Sequence, residues 1–139
     1  MIQRIQSLYL LIAAACLVLF VLVANVWIAG VAAELAWLGT AAYGLGIVTA
    51  LAALVSVFLY RDRSRQRTTI VATMWLDLLL VAAVLGGLLA STGDAPAEGG
   101  PYARYLVALL PVAAYLFLRL ARAGVHKDIQ TVRSMDRLR

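Results

Sequence analysis

The sequence predicts an all-α membrane protein: a four-transmembrane-helix up-down bundle with both termini in the cytoplasm and a C-terminal cytoplasmic amphipathic helix. Three observations carry this. Four apolar stretches, near residues 6–29, 38–60, 68–90 and 103–121, fill most of the 139 residues. Each holds about twenty residues or more, enough to cross a hydrocarbon core of roughly 30 Å as a helix. Hydrophobic residues make up 64% of the chain and charged residues 14%, where soluble domains hold about 45–50% and about 25%. Of the 12 Lys and Arg residues, 11 fall in the N-terminus, the 61–67 segment or the C-terminal stretch from Arg119 onward, and Arg104 is the exception. The opposite connections set that one arginine against Glu34, Asp94 and Glu98. All the connections are short, so the excess of positive charge assigns its side to the cytoplasm. Residues 1–121 form the membrane domain and 122–139 a basic cytoplasmic tail.

Taken in order, the first span follows Met1-Ile2-Gln3-Arg4-Ile5-Gln6 and runs to Trp27. The amphipathic ring of Trp27 suits the outer interface, as does that of Trp37 at the start of the second span. The run Leu11–Cys16 resembles a lipoprotein cleavage site, but apolar residues continue through Ala24. A signal peptide turns polar after an apolar core of about 7–15 residues, so this segment reads as an anchor. Cys16 is the single cysteine, which leaves no intramolecular disulfide and no cysteine-based metal site. The second span ends at Tyr60, and Arg61-Asp62-Arg63-Ser64-Arg65-Gln66-Arg67 reads as a cytoplasmic loop. The third ends near Ala90. The Gly- and Pro-containing stretch 91–101 that follows reads as a flexible outer loop. Tyr102 and Tyr105 mark the interface where the fourth span begins.

Short connections make successive helices antiparallel neighbours. Ala42, Gly46 and Ala50 sit four apart on the second span, as do Ala82, Gly86 and Ala90 on the third. Small residues at that spacing let backbones approach where lipid supplies no hydrophobic drive. The expectation is that the second and third helices meet along these two faces.

Asp77 lies within the third span, about nine residues or roughly 13 Å deep. An aspartate near the bilayer centre costs about 2.5–3.5 kcal/mol to insert, which the Leu, Ile and Val of the same span can offset. It should face protein rather than lipid. Its depth matches Cys16 on the first span, the Thr49–Ser56 stretch on the second and Pro111 on the fourth. Pro111 has no N–H and leaves the carbonyl of Val107 without its helical partner. A protonated Asp77 could donate to that carbonyl or to the hydroxyl of Thr49 or Ser56. One reading is an interhelical hydrogen bond that fixes packing. The other is a proton-carrying or ligand-binding carboxylate. No second acid, histidine or basic residue lies at that depth, which favours the packing role.

Beyond Arg119 the chain is basic, with Val125, Ile129 and Val132 at helical spacing. The fourth span is expected to continue as an amphipathic helix, with Gly124 as a bend. Its cations suit anionic headgroups at about 1 kcal/mol each. Nothing in it reads bases, so nucleic acid is a poor fit as a partner. The opening Met1–Gln6 with Tyr9-Leu10-Leu11, and the close His126-Lys127-Asp128 and Val132-Arg133-Ser134-Met135-Asp136-Arg137-Leu138-Arg139, resemble the two ends of domain-of-unknown-function family 4293. That family comprises small four-span bacterial inner-membrane proteins. The resemblance implies no catalytic residues and places the recognisable pattern in the soluble ends. A cytoplasmic platform is therefore expected, built from Gln3, Arg4 and Gln6 with Lys127, Asp128, Arg133, Asp136 and Arg137.

Enzyme chemistry finds little support. His126 is the only histidine, no paired carboxylates occur within the spans, and no phosphate-cradling glycine loop or metal-ligand spacing appears. No cofactor is expected. The sequence thus points to a small accessory or scaffold subunit that docks a partner or anionic lipid through its basic ends. The alternative is a small oligomeric transporter or channel with Asp77 as its ionisable site.

Overall fold

The computed structural model describes residues 2–29, 35–59, 62–90 and 102–136, with the side chains of 2–4, 63 and 126–136 excepted. They form α1 (Ile2–Ile28), α2 (Ala36–Phe58), α3 (Arg63–Ala90) and α4 (Ala103–Asp136). All four helices are long and apolar enough to cross a membrane. Sequential neighbours pack together, and α4 returns against α1 in the most extensive contact, closing the ring. Only 33 to 39% of each candidate span is buried inside the bundle. Leu22, Phe58 and Leu89 are at least 70% exposed, so the outer girdle needs an apolar medium around it.

The first two helices follow the expected spans closely. The third begins earlier, because Arg63–Arg67 is its first turn rather than part of a loop. Asp62 caps it: Oδ1 accepts the Arg65 backbone N–H at 3.1 Å, and the Asp62 carbonyl accepts that of Gln66 at 2.9 Å. This satisfies a donor at the helix start that would otherwise be left to water. Gln66 is then carried inward, and its Nε2 donates to the Ser56 carbonyl of α2 at 3.2 Å. The fourth helix continues without interruption to Asp136. Its 34 residues span about 50 Å, well beyond a hydrocarbon core. Pro111 lies inside it and is buried.

The core has two clusters. Leu17, Phe20, Trp27, Leu80, Val84 and Ala114 belong to one. Leu10, Ile70, Met74, Leu118, Ala121 and Val125 belong to the other, near the charged end. The expected meeting of α2 and α3 along their small-residue faces is corrected by the structure. Ala42, Gly46 and Ala50 are buried or nearly so, except that Gly46 looks at α1: a Cβ there would lie 3.1 Å from Phe20. Ala82, Gly86 and Ala90 are exposed, and a Cβ on Gly86 would meet nothing within 4 Å. The close approach of α3 is made by the next residue, Gly87, against Trp27 of α1. Trp27 is 1% exposed, so its ring fills the core instead of lying at the interface. The large indole needs a partner without a side chain, and Gly87 supplies one. Trp37, Tyr102 and Tyr105 are exposed, as interfacial rings would be.

Candidate functional site

Asp77 sits where the two core clusters meet along α3, between Met74 of one and Leu80 of the other. It is fully buried, on the stripe that also carries Gln66, Ile70, Thr73 and Val84. A helix surrounded by lipid places its polar residues inward, because outward they would meet hydrocarbon. Cys16 of α1 is within electrostatic reach of the carboxylate. The expected hydrogen bonds are not formed: among the described residues, neither Asp77 oxygen has a partner. The Thr49 hydroxyl donates to the Leu45 carbonyl at 2.7 Å, and that of Ser56 to the Ala52 carbonyl at 2.9 Å. Thr73 likewise donates to Thr69 at 2.9 Å. Each hydroxyl spends its one proton on its own helix. Pro111 is buried in α4, but no bond links Asp77 to the turn it opens. Among the described residues, no group of three His, Cys, Asp or Glu gathers as a metal site would require.

The charged end is assembled by the antiparallel packing. The start of α1 lies against α4, where a Cβ on Gly124 would fall 2.6 Å from Gln6 Cγ. Gln6 is 7% exposed, with its Nε2 unpaired among the described residues. Val125 of α4 is buried in the same cluster as Leu10 of α1. The remaining platform side chains, Gln3, Arg4, Lys127, Asp128, Arg133 and Asp136, lie outside the described residues, as does all of Arg137. The start of α3 joins this end through the Gln66–Ser56 bond. Arg67 of α3 and Arg119 and Arg122 of α4 line an open cleft of about 250 Å³. In the sequence these cations fall into separate segments; the three-residue interval of Arg119 and Arg122, which puts both on one helix face, was the available signal. At the other end Arg104 stays local, its guanidinium 5.0 Å from the Tyr105 ring centroid and donating to the phenol oxygen at 3.1 Å.

Four long apolar helices closed in a ring, with a buried acid within and cations gathered at one end, define a multi-pass membrane protein. The pattern of the family described as Domain of unknown function (DUF4293) matches residues 35–138. The chain belongs to that family. The match takes in α2 to α4 and the C-terminal close, and leaves the whole of α1 outside it. Comparison with curated proteins and with solved structures found no match.

Proposed function

We propose that the protein is a non-enzymatic accessory or scaffold subunit of a bacterial inner membrane, holding a partner at its basic cytoplasmic end. The observation that carries the reading is the concentration of cations: 11 of the 12 Lys and Arg residues belong to the N-terminus, the 61–67 segment and the C-terminal stretch from Arg119 onward. Gln6 against Gly124 supports the joining of the first and last of these segments. Helix α4 continues past Val125 to Asp136, and on this reading the amphipathic pattern of its last turns meets a protein or the anionic inner leaflet. Both termini are assigned to the cytoplasm on the same charge asymmetry.

The test is removal of residues 126–139, a cut that spares the buried Val125. Affinity capture of the full-length protein from native membranes in mild detergent should recover a stoichiometric companion, and the shortened chain should lose it. An isolated protein with no companion in either form counts against the scaffold role.

A second reading is supported by one observation, the buried Asp77 carboxylate with neither oxygen partnered among the described residues. Such a group suits proton or cation passage in an oligomeric transporter or channel. Asp77→Asn should then abolish transport while the shortened tail leaves it intact. In the accessory role Asp77→Asn is nearly silent.

A further inference from the structure

We infer that α3 and α4 together hold one anionic diacyl phospholipid, its phosphate on three arginines and an acyl chain in the groove beneath them. Arg67, Arg119 and Arg122 converge on the open cleft at the charged end. All three are exposed, and among the described residues none of them forms an ion pair; that role falls to Arg65, which bonds Asp62 at 3.1 Å. Guanidinium groups present paired donors that match phosphate oxygens. Directly below, a groove of about 90 Å³ is lined by Val71, Met74, Trp75, Leu78, Tyr115 and the same Arg122. Arg122 therefore joins a cationic cleft to an apolar one.

Helical spacing makes the two continuous. On α3, residues 67, 71, 74, 75 and 78 share one face. On α4, residues 115, 119 and 122 do the same. From Arg67 to Leu78 the axial distance is about 16 Å. The order along it is cation first and apolar side chains deeper, the order of a phospholipid in a leaflet. Trp75 is 65% exposed beside this groove, although an indole buried inside a span normally seeks an interface. A peptide or soluble metabolite would match the arginines but leave the deeper groove unexplained.

The inference requires that the chain cross a bilayer; it does not require a protein docked on the tail. The full-length protein is reconstituted in phosphatidylcholine vesicles containing phosphatidylglycerol, with brominated chains on one lipid or the other. Bromines quench an adjacent indole. Phosphatidylglycerol should quench preferentially, and Trp75→Phe should remove that preference. The double variant Arg119→Gln with Arg122→Gln should lower it by roughly fivefold per arginine lost. Arg104→Gln, at the opposite end, and removal of residues 126–139 should leave it unchanged. Excess inorganic phosphate should not displace the lipid. Equal quenching by both lipids, a preference that survives in the arginine variant or without Trp75, loss of preference with the tail or with Arg104, or displacement by phosphate would each overturn the assignment. Because the tail deletion separates the two sites, failure of partner capture leaves the lipid result interpretable on its own.

Discussion

Two adjacent glycines on α3 should behave in opposite ways when each is given a methyl group. A Cβ on Gly87 would stand 2.6 Å from Cζ2 and 3.2 Å from Cη2 of Trp27. Trp27 cannot swing aside, because its rigid ring is 1% exposed and packed among the larger core cluster. A Cβ on Gly86, one residue earlier, meets nothing within 4 Å. Both substitutions gain the same helix propensity, roughly 0.5–1 kcal/mol. That gain cancels in the comparison and leaves the clash, about 1–3 kcal/mol for forced overpacking. Gly87→Ala should therefore be less stable than Gly86→Ala by about that amount. The assay is reversible unfolding in mixed detergent micelles, followed by far-ultraviolet circular dichroism. Trp27→Phe, which removes the clashing atoms, should restore the Gly87→Ala variant in a double-mutant cycle, with a coupling of about 1 kcal/mol or more. Equal stability of the two alanine variants, or a cycle without coupling, would refute the contact of the Trp27 ring with Gly87 described above.

Other consequences follow from the same structure. Asp62→Ala should cost about 1 kcal/mol through loss of the α3 cap, and Asp62→Asn should recover most of it; the Arg65 ion pair, half exposed or more on both sides, should add little. Gln66→Leu removes the donor to the Ser56 carbonyl and should destabilise by about 0.5–1.5 kcal/mol, read by the same unfolding assay. Gly124→Val should push the start of α1 from α4, since its Cβ would lie 2.6 Å from Gln6 Cγ, and Gln6→Ala should relieve much of the loss. Truncation after Val125 should leave the unfolding midpoint nearly unchanged, whereas truncation after Leu120 removes the buried Ala121 and Val125 and should lower it clearly.

The number of helices and their approximate spans were legible because hydrocarbon imposes a length on apolar runs that few other contexts require. Which face of each helix turns inward was not. Leu79 is 60% exposed and Leu80 is fully buried, yet hydropathy cannot distinguish them, since lipid is as apolar as the core. Small residues were therefore a weak guide. Ala82, Gly86 and Ala90 carry the favoured spacing and face outward, while Gly87 makes the contact because Trp27 happens to stand opposite. The polar residues of α3 were the better signal. Gln66, Thr73 and Asp77 all lie on its buried stripe, as the cost of placing them in lipid demands. The inward direction of Asp77 was readable for that reason. Its lack of a partner was not, because the hydroxyls of Thr49 and Ser56 turned to their own helices. The early start of α3 was also missed: the run of arginines reads as loop until Asp62 is recognised as a cap.

Everything proposed for the charged end depends on its segments sharing one compartment. In a Cys16→Ala background, single cysteines at Gln3, Ser64, Ser134 and Glu98 can be treated with a membrane-impermeant maleimide on intact spheroplasts and again after lysis. Position 98 should label in both conditions, and positions 3, 64 and 134 only after lysis. Labelling of position 3 or 134 on intact spheroplasts would place a terminus outside and contradict the shared cytoplasmic face.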